Sequence, residues 1–569
     1  MTRTLFTLVL ILAIVLCPEA ARAQQNTTDT ALREKAYKLL ESAAGQLSSL
    51  QSPANRARLG ANIADSLWNH DEKRARALFA LVEEDIRTGL ANCDLDDPKD
   101  ALTLKIFLKL RTETVERIAK YDGELALAFL KTTEFTSDKP LPSDIATFKH
   151  QHGLEVRLAK LMANTNPDLA LTLARQSLAQ GVSDDLLQVL KQLNKKHKEQ
   201  AMTLYKETVK KLRQLNLTDD WDTARFAESL AQSFRPQPND ATFRELISLL
   251  VTRALEHGCT TNPSLDNNQA EFCRLVASVM PQLERIDPRA AQLKRWSRQD
   301  DDLSIAPDTV QEFFEVFEEG AINDLLALAA KHPDFSDDIL QHAVKRAIEL
   351  GDFEQARKIA ADRIVNPDRK RQSLVEITHR QNWNSADEKE LADVESRVHH
   401  VSDLTHRIQI LLSAVPSFGG KNRTAALRLL KQATEMADNM KPGREQTEAQ
   451  LSVAAHYCFM KSDRGFVIME SLMPRLNELV NAAMKLDGYE TGYVSDGEWN
   501  MSANDTIGQI LTHLSHNAGS FARCDFDRAV SVAAQFERPE IRLMAHVKLA
   551  QSILTGPSRR SRLEYGYIY

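Results

Sequence analysis

Apolar residues recur every three or four positions along most of the chain, which is the spacing of an amphipathic α-helix. One such stripe comprises Ala201, Leu204, Tyr205, Thr208, Val209, Leu212 and Leu215. Charged residues occupy the positions between them and form the solvent-facing side. No run alternates with a period of two, and no Asn-Gly or Asp-Gly turn is found between apolar runs. The pattern therefore predicts an all-α chain without β-hairpins.

A second pattern marks the places where consecutive helices meet. Asp or Asn at a short polar turn is followed four residues later by Ala, and a large apolar residue precedes it by four. The turn residues and their alanines are Asp71 and Ala75, Asp122 and Ala126, Asn166 and Ala170, Asp287 and Ala291, Asp352 and Ala356, Asn422 and Ala426, and Asp525 and Ala529. The apolar residues are Leu67, Ile118, Met162, Leu283, Ile348, Phe418 and Phe521.

A large side chain facing a small one lets two antiparallel helices approach closely. The sequence thus predicts stacked antiparallel helical hairpins that form a solenoid or superhelix. The spacing between the seven turns is irregular, so the units have diverged or contain inserted helices.

One unit, residues 343–368, resembles a tetratricopeptide repeat. Gly351-Asp352-Phe353 occupies the turn, Ala356 follows the aromatic residue by three, and Pro367 closes the unit. The likeness covers about thirty residues, against a repeat length near 34, and the family's Trp-Leu-Gly-Tyr signature is missing. The chain thus resembles the broader class of TPR-like α-helical solenoids. This resemblance implies binding of a protein or peptide partner on a concave surface, without catalysis.

The N-terminus has the pattern of a signal peptide. Arg3 precedes an apolar run from Leu5 to Leu16, and Ala21-Arg22-Ala23 offers a small-x-small cleavage site. We expect cleavage near Ala23 and a secreted or periplasmic protein. No later apolar run is long enough to predict a transmembrane segment in the mature chain. Polar residues at 297–308 suggest a boundary, which gives a signal peptide (1–23), two helical-repeat arrays (24–297 and 309–555) and a flexible tail (556–569).

Composition narrows the functional classes. The 569 residues carry a net charge of −7, whereas a nucleic-acid partner would favour a basic stripe, so no nucleic acid is expected. Only 20 Gly and 19 Pro are present, and their scarcity favours long helices joined by short loops. Cys259 and Cys273 bracket a polar loop. They fit a disulfide or two buried thiols on adjacent helices equally well.

The sequence contains no complete motif for catalysis, metal binding or cofactor binding. His513 and His516 lie three residues apart on a predicted helix, yet neither HExxH nor a CxxC pair supplies further ligands, so no metal is expected. Clustered Asp94, Asp96 and Asp97 fit a solvated acidic loop better than a calcium site. GxSxG, a P-loop and GxGxxG after a strand are all absent, so we expect no cofactor and identify no catalytic residue.

The segment 487–505 is the most unusual part of the chain, because it mixes aromatic residues with carboxylates. Such a mixture can stack on sugars or bind a basic peptide, but a loop packed over the helices is the favoured interpretation. The candidate ligand-binding residues are Tyr489, Tyr493, Asp496, Glu498 and Trp499. Overall, the sequence favours an exported, non-enzymatic repeat protein that binds a protein or peptide. The alternative is a carbohydrate-active or sugar-binding protein that uses this segment.

Overall fold

The computed structural model describes part of the chain. The described residues are 29–93, 98–135, 151–218, 220–233, 241–259, 267–293, 316–317, 320–381, 383, 385–487, 489, 493–501 and 506–555. The predicted signal peptide (1–23), the predicted tail (556–569), the boundary at 297–308 and the acidic residues Asp94, Asp96 and Asp97 lie outside them.

Helices account for most of the described residues. In chain order they are α1 (29–46), α2 (Pro53–Leu67), α3 (Glu72–Ala91), α4 (Pro98–Ala119), α5 (Gly123–Thr132), α6 (Gln151–Met162), α7 (Pro167–Gln180), α8 (Asp184–Lys196), α9 (Lys198–Leu212), α10 (Trp221–Ser233), α11 (Ala241–Glu256), α12 (Asn267–Ser278) and α13 (Met280–Ile286). They continue with α14 (Ile322–Lys331), α15 (Ser336–Glu349), α16 (Phe353–Asp362), α17 (Pro367–Arg380), α18 (Glu388–His400), α19 (Leu404–Gly419), α20 (Arg423–Asp438), α21 (Arg444–Phe459), α22 (Arg464–Lys485), α23 (Thr506–Cys524), α24 (Phe526–Ala533) and α25 (Pro539–Leu554). Short 3-10 turns lie at Leu47–Ser49, Pro288–Gln292 and Pro333–Phe335.

The chain divides into two compact units. The terminal unit comprises Met1–Leu78 and Asp308–Tyr569, and the middle unit comprises Phe79–Pro307. The sequence predicts one array over residues 24–297, whereas in the structure the residues up to Leu78 group with the C-terminal helices. The reason is that α2 packs against α25.

The predicted turn pattern has a simple physical basis, because its Asp or Asn is usually the N-cap of the following helix. Asp122 accepts a hydrogen bond from the backbone N–H of Leu125, and Asn422 does the same for Ala425. The same cap occurs at Asp71, Asn166, Asp352 and Asp525. The alanine that follows each of these six caps is buried at the helix crossing. The cap sets where the second helix starts, and the alanine lets it pack closely on the first.

The seventh turn differs from the others. Asp287 caps the 3-10 turn Pro288–Gln292 instead of an α-helix, and its carboxylate also pairs with Arg289 at 2.6 Å. The tighter winding turns Ala290 inward and leaves Ala291 exposed. The predicted hairpin at Asp287 is therefore wrong, although Leu283 before it is buried as expected.

In the terminal unit the hairpins form two rows of helices. The first helices of successive hairpins, α17, α19, α21, α23 and α25, each pack against the next, and α2 follows α25 in the same row. We call these six helices the inner row. The second helices of these hairpins contact one another less, and among them α22 and α24 make the most contact. A row that is packed more tightly than its partner row lies on the inner side of a curved array.

The middle unit is built in the same way. Its helices pair as α4 with α5, α6 with α7, and α8 with α9, and α6 also packs on α8. Near its end, a disulfide joins Cys259 to Cys273, both buried, with a Cα–Cα distance of 5.5 Å. The structure thus selects the disulfide from the two possibilities that the sequence left open.

Together the two units confirm the predicted all-α class of stacked antiparallel helical hairpins. Among the described helices, none combines the length and the apolar character that crossing a bilayer would require. The expectation that no β-hairpin occurs is wrong at one place. Strands β1 (Val494–Ser495) and β2 (Glu498–Trp499) pair antiparallel, with Val494 opposite Trp499.

Candidate functional site

The β1–β2 hairpin lies within the segment that the sequence singled out for ligand binding. Its loop consists of Asp496 and Gly497, whose φ angles are 54° and 75°. Positive φ at both positions is the requirement of a type I′ turn, for which Asp-Gly is a favoured pair. The strands on either side are only two residues long, so they give no alternating pattern by which this Asp-Gly turn could be recognised from the sequence.

The hairpin separates the five candidate residues into two groups. Tyr489 is 89% exposed, and Asp496 is exposed at the turn. Trp499 and Glu498 are buried, and the half-buried ring of Tyr493 packs on Trp499 with 5.8 Å between centroids. The structure therefore gathers Tyr493, Glu498 and Trp499 and leaves the other two residues facing solvent.

Glu498 hydrogen-bonds to the start of α2, about 450 residues earlier in the chain. Its carboxylate accepts hydrogen bonds from the backbone N–H of Gln51 at 2.6 Å and of Ser52 at 3.2 Å, and from Asn55 Nδ2 at 3.2 Å. Asn55 Nδ2 also donates to the Trp499 carbonyl at 2.8 Å. A negative charge interacts favourably with the positive N-terminal end of a helix dipole. The Glu498 carboxylate therefore stabilises α2 as well as the contact between α2 and the hairpin.

The other side of the hairpin is attached to α25. The backbone N–H of Trp499 donates to Glu540 Oε1 at 2.8 Å, and Arg538 Nε pairs with the same oxygen at 2.9 Å. A second Arg538 nitrogen donates to the Gly497 carbonyl at 2.8 Å. We call residues 493–501 the hairpin clamp, because they join the N-terminus of α2 to the N-terminus of α25. Its partners Asn55 and Glu540 carry no sequence signal that would single them out.

A second polar cluster lies on the inner row, where α21 packs against α23. Four residues on α21 are spaced four apart: Arg444, Glu448, Ser452 and His456. Gln509 and His513 on α23 face them. Arg444 donates to Gln509 Oε1, and Ser452 Oγ lies 2.8 Å from His513 Nε2. We call these six half-buried residues the inner seam.

Electrostatics keep His513 neutral in this seam. Burial, together with smaller contributions from the charges of His516 and His456, lowers its pKa to about 4. A neutral imidazole has one ring nitrogen that can accept a hydrogen bond and one that donates. With the amide of Gln509 and the hydroxyl of Ser452, the seam offers paired donors and acceptors and little net charge.

The low pKa of His513 predicts a pH-dependent stability. The unfolded chain binds a proton at His513 near pH 6.5, whereas the folded chain resists protonation until about pH 4. The stabilisation is therefore complete above pH 6.5 and is lost as the pH falls toward 4. Between pH 6.5 and pH 4, the free energy of unfolding measured in urea should fall by roughly 1–3 kcal/mol more for the native chain than for His513→Asn. His399→Asn, at an exposed position, is the control variant. If the free energy of unfolding of His513→Asn depends on pH as strongly as that of the native chain, His513 is not the cause of the pH dependence.

The Ser452–His513 contact resembles a nucleophile beside a base, but its surroundings do not favour acyl transfer. Ser452 lies inside α21, where backbone N–H groups bond to carbonyls of the preceding turn, so they cannot stabilise an oxyanion. Within the described residues, no group of three or more His, Cys, Asp or Glu side chains is placed to hold a metal ion.

The terminal unit also has a polar cleft between α18 and α20. Its volume is about 540 Å³, and Val398, Leu404 and Met436 form part of its wall. Glu395 at its edge pairs with Arg428 at 2.9 Å and accepts from Gln432 at 2.8 Å. Three of the polar side chains at the edge of the cleft therefore already bond to one another.

No model of a known protein family matches the chain, and no curated protein matches it. Among solved structures, one similar chain is described as "Circular tandem repeat protein with novel repeat topology and enhanced subunit contact surfaces". It is 14% identical, with 95% of this chain and 99% of that chain covered, at a TM-score of 0.14. SYS-1 is 11% identical over 91% of this chain and 99% of its own, at a TM-score of 0.16. TM-scores this low say nothing about the function of this chain.

Proposed function

We propose that this chain is an exported, non-enzymatic helical-repeat protein that binds a protein or peptide partner along the inner row. The observation that carries the proposal is the inner seam. Neighbouring helices present hydrogen-bonding side chains at one-turn intervals, with Arg444 and Gln509 at one end and Ser452 and His513 farther along. Such a ladder can bond to the backbone of an extended peptide, which repeats its own donors and acceptors along its length.

Two further observations support this proposal. The Cys259–Cys273 disulfide is typical of proteins that fold in an oxidising compartment, as expected for a chain whose first residues resemble a signal peptide. The unit at 343–368, which resembles a tetratricopeptide repeat, forms the expected helix–turn–helix. Its Gly351 has φ 76°, and Asp352 caps α16.

Selection from a random peptide library on the purified chain tests the proposal. We expect recovered peptides whose dissociation constants rise roughly fivefold or more in Arg444→Ala, Ser452→Ala and Gln509→Ala, since each change removes a seam contact. Lys431→Ala, at an exposed position on α20, which is not part of the inner row, should leave binding within about twofold. The unfolding midpoint of each variant shows that it is folded. Failure to recover a saturable peptide, or equal weakening by Lys431→Ala, would refute the proposal.

The carbohydrate alternative rests on Tyr489 and Asp496, which both face solvent. An exposed tyrosine can stack on a sugar ring, and a carboxylate can hydrogen-bond to sugar hydroxyls. Glu498 and Trp499, in contrast, already hydrogen-bond to the helices that the hairpin clamp joins. Screening a glycan panel with the native chain and with Tyr489→Ala separates the two functions, because only the carbohydrate hypothesis predicts glycan binding that Tyr489→Ala abolishes.

A further inference from the structure

A small cavity lies between two neighbouring helices of the inner row, α23 and α25. Its floor is formed by buried side chains, among them Phe466 of α22, Phe521 of α23 and Val532 of α24. Its mouth is formed by half-buried residues that all belong to α23 or α25: Leu514, Ser515, Met544, Ala545 and Lys548. The cavity therefore opens between these two inner-row helices. We call it the anchor pocket.

The wall of the anchor pocket is apolar except for Ser515 and Lys548 at the mouth. Ser515 Oγ donates to the Leu511 carbonyl at 2.8 Å, so this hydroxyl is already bonded within α23. The volume is about 40 Å³, which is room for roughly three groups of the size of water or a methyl. Water would find few hydrogen-bond partners there, whereas an apolar group would give the wall atoms the van der Waals contacts they lack. The pocket is thus suited to the end of one aliphatic side chain.

The anchor pocket and the inner seam lie on two sides of the same helix, α23. The seam residue His513 and the mouth residue Ser515 are two positions apart, so they differ in height by only about 3 Å along the helix axis. Successive residues of a helix are rotated by about 100°, which places Thr512 and His516 between these two residues around α23. The side chains of Thr512 and His516 are exposed. The seam and the pocket therefore border the same solvent-facing strip of α23.

We propose that the anchor pocket binds one aliphatic side chain of the extended peptide whose backbone bonds to the inner seam. This inference rests on the proposed function and specifies the partner. The seam lies between α21 and α23 and the pocket between α23 and α25, so the two are about one interhelix distance apart, or about 8–10 Å. An extended chain advances about 3.3 Å per residue. The aliphatic side chain therefore stands about three residues from the residue that bonds to the seam.

Peptides selected on the native chain provide the first test. Their sequences should share one leucine, isoleucine, valine or methionine. Replacing this residue by alanine should raise the dissociation constant about tenfold or more, because the apolar surface that the pocket buries is lost. Phenylalanine at the same position should weaken binding as well, since its six-membered ring exceeds the volume of the pocket.

Two substitutions at the mouth change the volume in opposite directions. Ala545→Leu fills the pocket, so it should weaken the selected peptide about tenfold and leave the alanine-substituted peptide within about twofold. Met544→Ala enlarges the pocket and should bind the phenylalanine-substituted peptide more tightly than the native chain does. A gain in affinity cannot come from a misfolded variant. Arg444→Ala, in the seam, is the control and should weaken all these peptides to the same extent.

The possible failures can be told apart. Peptides that need Arg444 and Gln509 but tolerate alanine at every aliphatic position would overturn the inference and leave the proposed function standing. Recovery of no saturable peptide would refute the proposed function and this inference with it. If a fluorescent fatty acid binds and Ala545→Leu abolishes that binding, while the peptides show no aliphatic preference, the pocket takes a lipid chain and the inference is wrong.

Discussion

Replacement of Glu498 by alanine is expected to lower the free energy of unfolding by about 3 kcal/mol or more. The carboxylate accepts hydrogen bonds from Gln51 N, Ser52 N and Asn55 Nδ2, and the Ser52 and Asn55 donors are buried. Removing the acceptor leaves the buried Ser52 N–H without this partner and Asn55 Nδ2 with the Trp499 carbonyl alone, and each buried donor hydrogen left unpaired costs about 1–3 kcal/mol. The urea midpoint measures the loss, and faster amide hydrogen exchange in α2 would show where it occurs.

The exposed turn residue Asp496 provides the matched control for Glu498→Ala. Asp496→Asn removes a charge two residues away on the same hairpin and keeps a side chain that tolerates the positive φ. Its effect should stay within about 0.5 kcal/mol. Glu498→Gln should fall between the two, because the amide keeps one accepting oxygen. If Glu498→Ala unfolds at the same midpoint as Asp496→Asn, the hairpin clamp does not stabilise the fold.

The parts of the fold that sequence predicted correctly are those set by local interactions. An N-cap such as Asp122 acts on a backbone N–H three residues away, and the apolar period acts within one helix, so a short window of sequence contains both signals. The same locality explains the failure at Asp287. Whether a capped turn continues as α or 3-10 depends on how the next residues pack. The pattern of an apolar residue, a capping residue and an alanine contains no information about that packing.

The role of Glu498 could not be predicted from its neighbours in sequence. Two of its donors are backbone N–H groups, which almost every residue has, and they lie more than 440 residues away along the chain. A carboxylate followed by a tryptophan gives the same sequence pattern whether it binds a sugar or caps a buried helix. Only the packing of α2 against α25 distinguishes the two, and that packing is a long-range contact.

Only the α21 side of the inner seam can be recognised from the sequence. The four-residue spacing of Arg444, Glu448, Ser452 and His456 places them on one face of α21 without any structure. Their partner was not visible, because the helix that follows α21 in sequence is α22, whereas the seam forms with α23. In the sequence, His513 stands out only as half of a possible metal pair with His516. Its actual contact with Ser452 requires knowledge of which helices share the inner row.

Replacement of Gly465 by alanine is expected to destabilise the chain by about 2–3 kcal/mol, through overpacking where α21 meets α22. A Cβ at this position would lie 2.5 Å from the Ala454 carbonyl oxygen and 2.9 Å from the Cys458 backbone nitrogen. Both atoms are backbone, so the clash can be relieved only by moving the two helices apart. Gly45→Ala is the control, because a Cβ there meets nothing within 4 Å, and the higher helix propensity of alanine should stabilise α1 by up to about 1 kcal/mol. Urea unfolding of both variants should therefore give shifts of opposite sign, and a Gly465→Ala variant as stable as the native chain would show that α21 and α22 are not packed as closely as described.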